Sequence, residues 1–160
     1  GNPPMSDSII YTREGALARL TFNRPASLNA MGFEMGRRWR DLAREVTSDP
    51  TVGAVLLDAE GPAFCAGGDV LEMATSGAGG SEVTAMAEII HEGIRSFIES
   101  DKPIVASVHG AVAGFAHGFD IAADTLDRVA GCGAQNHAGG GQYDGNFPDH
   151  AKVPGIPLLK

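Results

Sequence analysis

The chain has 160 residues, 43% of them hydrophobic, with a formal net charge of −8, which is material for one domain with a real core. That charge, with no basic run anywhere, excludes a surface built to neutralise nucleic-acid phosphates, because such surfaces cluster Lys and Arg. No apolar run approaches the ~20 residues that span a bilayer, and the polar start lacks the apolar core of a signal peptide. With two well-separated cysteines, Cys65 and Cys132, a soluble protein in a reducing, cytoplasmic setting is expected.

Residues 1–8 read as a vector-derived tag and a disordered N-terminus, since Gly1-Asn2-Pro3-Pro4 precedes Met5. Residues 9–12 and 16–22 are short β-prone runs joined by Arg13-Glu14-Gly15, which predicts an antiparallel hairpin. Asn23-Arg24-Pro25 breaks the second run and opens a loop to about Asn29. From Met31 the apolar residues Met35, Trp39, Leu42, Ala43 and Val46 recur at helical spacing, predicting an amphipathic helix over 31–48 that Asp49-Pro50 ends.

Residues 52–57 form a nearly continuous apolar run, the pattern of a strand buried on both faces of a parallel sheet. A loop over 64–69 and a mobile Gly/Ser-rich stretch over 75–81 are expected next, then a second helix over 82–100 with Val83, Met86, Ile90, Ile94, Phe97 and Ile98 on one face. Lys102-Pro103 opens another buried strand over 104–108, followed by a small-residue helix over 114–123. The order β, β, α, β, α, β, α predicts an α/β fold with a largely parallel sheet. Residues 125–160 are glycine-rich without periodicity, a divergent, loop-rich segment.

Three segments carry the chemistry. Asn23-Arg24-Pro25-Ala26-Ser27-Leu28-Asn29-Ala30-Met31 follows the hairpin, and Gly61-Pro62-Ala63-Phe64-Cys65-Ala66-Gly67-Gly68-Asp69-Val70 follows a buried strand. Lys102-Pro103-Ile104-Val105-Ala106-Ser107-Val108-His109-Gly110-Ala111-Val112-Ala113-Gly114 is again strand, turn and helix start. In order and spacing they resemble the crotonase (enoyl-CoA hydratase/isomerase) family over residues 9–124. The resemblance implies a crotonase-like spiral core of ββα units, of the ClpP/crotonase kind and incomplete at the C-terminus.

Strand-to-helix corners after parallel strands bring exposed backbone N–H groups to the carboxyl edge of a sheet, where ligands bind in open α/β folds. Small residues at Ala66, Gly67, Gly68 and Gly114 let a ligand approach the main chain. The resemblance implies that two such amides, those of Ala66 and Phe115, polarise a thioester carbonyl and stabilise the enolate formed on it, each contributing ~3–4 kcal/mol to the transition state. It further implies that Ala26, Leu28, Ala66, Gly68, Asp69, Val70 and Gly114 border a coenzyme A thioester, bound as substrate or ligand with no tightly held cofactor and no metal. On an acidic chain the anionic ligand would be held locally, by backbone amides and by Arg24, Arg37, Arg38 and Lys102. The implied partners are an acyl-CoA small molecule and further copies of the chain, as a trimer or other homo-oligomer, without nucleic acid or membrane.

One departure matters. Hydratases of the family carry a Glu where this chain has Gly118, and water addition across a conjugated thioester needs general acid and base groups. His117 and Asp120 flank the position, but residues two apart on a helix differ by about 200° in direction, so Asp120 would not project where residue 118 does. His109, at a strand end, is expected to be a satisfied or surface residue, and Cys65 a buried, inert thiol. Hydration is therefore expected to be impaired; any activity would be that of a hydratase/isomerase-type lyase or isomerase, with isomerisation or another enolate reaction easier than hydration. Walker A, G-x-G-x-x-G, G-x-S-x-G and zinc-ligand spacings do not occur. Since the resemblance fades near Asp124 as the composition changes, a truncated chain is expected, whose uncovered apolar faces favour self-association. The contrasting reading is a non-catalytic remnant that acts only as an oligomerising scaffold.

Overall fold

The computed structural model of the chain describes residues 7–113. Four strands form one sheet in the order β1 (Ile9–Glu14), β2 (Leu17–Phe22), β3 (Ala54–Ala59) and β4 (Ile104–Ala106). β1 and β2 are the expected antiparallel hairpin, with Glu14 opposite Leu17 and two turn residues between them. The turn needs a positive φ at its first residue, and Gly15 supplies it at 57°. β3 runs parallel to β2, and β4 parallel to β3, so the sheet beyond the hairpin is parallel as predicted.

Three helices follow the same alternation: α1 (Phe33–Ser48), α2 (Val70–Thr75) and α3 (Gly80–Ile98). α1 starts two residues later than its apolar periodicity suggested, because Met31 pairs with Gly68 in an isolated parallel bridge. Its end at Asp49 is as read, and the C-terminal carbonyls of Val46 and Asp49 accept the Lys102 ammonium, a cation placed at the negative end of the helix dipole. α3 begins at Gly80, where the Glu82 carboxylate accepts the Gly79 N–H at 2.8 Å, half of a capping box. The expected Gly/Ser-rich link over 75–81 is shorter in the structure: Thr75 closes α2 and Gly80 opens α3, which leaves residues 76–79 between the two helices.

α1 and α3 cover one face of the sheet. Trp39 of α1 lies 5.7 Å from Phe22 of β2 and 5.0 Å from Phe97 of α3, between ring centroids, and its indole N–H donates to the Ile90 carbonyl at 3.1 Å. Phe64 closes the group 5.1 Å from Phe22. Ala18, Leu20, Val55, Leu57 and Ile104 turn their side chains into this core. The opposite face carries a polar network in which Asp58 accepts Arg19 Nε at 2.8 Å and the Thr21 hydroxyl at 2.6 Å. Val105 on that face is 42% exposed. The run over 52–57 was read as a strand buried on both faces; among the described residues only the Val55 and Leu57 side is fully buried, and the strand lies two residues later because Val52 turns its N–H to the Asp49 carbonyl.

Candidate functional site

The parallel strands β2, β3 and β4 deliver three loops to one edge of the sheet: 23–32, 60–69 and 107–113. The middle loop forms a spine between the other two. On one side Phe64 N–H donates to His109 O at 2.8 Å, Cys65 N–H to Ala111 O at 3.1 Å, and Ala113 N–H to Cys65 O at 3.0 Å. On the other side Ala66 N–H donates to Leu28 O at 3.0 Å, Met31 N–H to Gly67 O at 2.7 Å, and Asp69 N–H to Met31 O at 2.8 Å. In a parallel bridge the residues flanking one member make both bonds. Gly67 and Asp69 therefore make the bonds to Met31, and the N–H of Gly68 is directed away from it. Gly68 is exposed, and Gly67 takes a φ of 104° to make the corner.

Side chains lock these loops from below. Asn29 is wholly buried with φ 54°; its carbonyl accepts Arg24 N–H at 2.7 Å, and its amide donates to Glu60 O at 2.9 Å and Ala63 O at 2.8 Å. Arg24 Nη1 reaches Ala30 O at 2.8 Å and Asp69 Oδ2 at 3.2 Å, both side chains being nearly buried. Asp69 Oδ1 caps α2 by accepting Glu72 N–H at 3.0 Å. His109 turns its exposed ring onto Gly61 O at 2.8 Å. Gly110, at φ 61°, passes so close to Pro62 that a Cβ would overlap its carbonyl. Burial pushes the Cys65 thiol up from its ordinary value of 9.0, and a hydrogen bond with the Gly67 backbone offsets this only in part.

The expected site residues divide on this geometry. Ala26, Leu28, Gly68 and Val70 lie exposed around the corner, Leu28 at 44% and Val70 at 75%. Asp69 does not face outward; its carboxylate is held inside by Arg24 and by the start of α2. Ala66 sits at the corner, but its N–H is engaged by Leu28, so an oxyanion there would have to displace an existing bond. The amide that faces away from the loop is two residues on, at Gly68. Gly114, Phe115, His117, Gly118 and Asp120 lie outside the described residues, which reach the second corner at Ala113. The four cations expected to hold an anion are engaged elsewhere: Arg24 by Asp69, Arg37 by Glu34, Arg38 by Ile9 O, and Lys102 by the end of α1.

Sequence reading missed Asn29 and Glu72. Asn29 had a signal in the Leu28-Asn29 pair, since Asn is the residue other than Gly that most readily takes a positive φ. Glu72 had none, because its partner, the Phe33 N–H at 3.3 Å, is 39 residues away. Among the described residues no group of three or more His, Cys, Asp or Glu could hold a metal ion, and no helix is long and apolar enough to cross a membrane.

The enoyl-CoA hydratase/isomerase family model matches residues 17–131. Enoyl-CoA delta isomerase 2 of Rattus norvegicus is 34% identical over 116 residues, 71% of this chain and 29% of that protein. The "Probable enoyl-CoA hydratase EchA14" of Mycobacterium tuberculosis is 31% identical over 126 residues, 78% of this chain and 47% of the relative. An enoyl-CoA hydratase/carnithine racemase from Magnetospirillum magneticum superposes with a TM-score of 0.62 at 28% identity, covering 72% of this chain and 43% of that structure. The chain spans less than half the length of these relatives. The three sheet-edge loops fall within the matched residues, and the fold is that of the crotonases: this chain belongs to the enoyl-CoA hydratase/isomerase family.

Proposed function

We propose that this chain binds acyl-CoA thioesters at the carboxyl edge of its sheet and polarises the thioester carbonyl with backbone N–H groups. The observation that carries the reading is the Gly67-Gly68 corner, where an exposed residue turns its amide away from its bridge partner Met31. The first donor is Gly68, in place of Ala66, whose N–H holds Leu28. The second remains Phe115. Ala26 and Leu28 border the coenzyme A moiety from the loop after β2, and Val70 from the start of α2. With Gly118 where a hydratase carries Glu, the chain lacks one acid/base group, so enolate chemistry such as double-bond isomerisation is favoured over hydration.

Isothermal titration with crotonyl-CoA tests the binding, and the fall in enone absorbance tests turnover. Heat and thermal stabilisation by crotonyl-CoA, with hydration far below that expected of a complete acid/base pair, is the expected result. No heat and no stabilisation would overturn the proposal. That outcome would favour a second reading, an oligomerising scaffold without catalysis, which the exposure of Val70 at 75% and Leu71 at 71% supports.

A further inference from the structure

α2 is an unusual element to find beside a ligand site: six residues long, with none of them buried. A helix this short has no stability of its own, so other contacts must fix where it stands. Asp69 caps its start, and Met73 packs partly buried against the core. The remaining tether is Glu72. The residue at the cap position of α1 is Gly32, which has no side chain to cap the first turn, and the Phe33 N–H is directed at Glu72 Oε1 at 3.3 Å. A Cβ at position 32 would overlap the Glu72 carboxylate, so this acid stands where a capping side chain of α1 would otherwise be. Its negative charge also lies at the positive end of a sixteen-residue helix.

The geometry points to Glu72 as a positioning residue of the thioester site, an inference that rests on the function proposed above. By reaching from α2 to the first turn of α1, Glu72 joins the two segments that flank the Gly67-Gly68 corner. Asp69 ties that corner to the same short helix through the Glu72 N–H and to the 23–32 loop through Arg24. Glu72 touches no reacting atom. It holds Val70, Leu71 and the direction of the Gly68 amide, so that binding a thioester does not first require ordering α2.

Two variants and two measurements separate this from a general structural role. Glu72→Ala removes the acceptor, whereas Glu72→Gln keeps an oxygen able to accept the Phe33 N–H. In titrations of the full chain with crotonyl-CoA, Glu72→Ala is expected to bind about fivefold to tenfold more weakly, and Glu72→Gln to recover most of that loss. Hydrogen exchange should quicken over residues 70–75 in Glu72→Ala, with the β3 and α3 amides unchanged. Wild-type affinity in Glu72→Ala, or equal losses in both variants with a global drop in protection, would overturn the inference. Should the wild-type chain bind no thioester, the proposed function fails. Exchange then decides the role of Glu72 alone: local quickening over 70–75 sustains it as the tether of α2, and unchanged exchange ends it.

Discussion

Asn29 is buried, carries a positive φ and joins three main-chain groups from two loops. Replacing it with Ala leaves the Arg24 N–H and the Glu60 and Ala63 carbonyls without their partner and keeps the backbone strain, so Asn29→Ala should cost about 2–4 kcal/mol. A lower urea midpoint at unchanged slope would register that cost; a midpoint within experimental error of the wild type would contradict it. Cys65 gives a pH prediction. Burial raises its thiol above the ordinary 9.0, so the folded chain keeps this proton to higher pH than the unfolded chain. Any stability it contributes is complete below 9.0 and is lost as pH rises from there toward the raised folded value. Urea midpoints should fall across that alkaline window in the wild type and fall less in Cys65→Ala. The same burial should make Cys65 slow to react with thiol reagents until the chain unfolds.

The crossing of α1 and α3 is set by two glycines with opposite demands. A Cβ at Gly93 would overlap the Trp39 indole nitrogen, whereas at Gly36 it would meet Ile90 Cγ1 at 3.4 Å, an ordinary contact. Gly93→Ala should therefore destabilise by about 1–3 kcal/mol, since overpacking outweighs the gain in helix propensity. Gly36→Ala should be neutral or stabilising by up to about 1 kcal/mol. Thermal midpoints that move in these opposite directions would support the packing described; a stable Gly93→Ala would refute it. The hairpin, α1, α3 and β4 were legible because their signals are local: turn residues, apolar periodicity and a proline stop. α2 was not legible, because six residues with no buried position leave no periodicity to read. The start of α1 was misread for a related reason, since Met31 continues the apolar pattern of the helix but is held in a bridge by Gly68.

At the scale of the molecule, α1 and α3 pack one face of the sheet, while Val105 on the other face and Val70 and Leu71 on α2 remain exposed. Apolar surface of this kind drives association. The chain is expected to sediment as a homo-oligomer, and Val105→Lys should shift it toward smaller species. A monodisperse wild-type monomer in sedimentation velocity would exclude this.

The sequence by itself determined the alternation of strands and helices, the parallel sheet and the three loops that meet at its edge, because each follows from patterns within one segment. It also carried the family, through the three segments in order. Only the tertiary structure decided which amide at the Gly67-Gly68 corner is engaged and which faces away, since Leu28 and Met31 lie more than thirty residues from their partners. It decided the fate of the charges in the same way. Arg24, Arg38 and Lys102 read as free cations along the chain, yet each finds an acceptor far off in sequence, and a buried or half-buried charge must be paired where the fold places it.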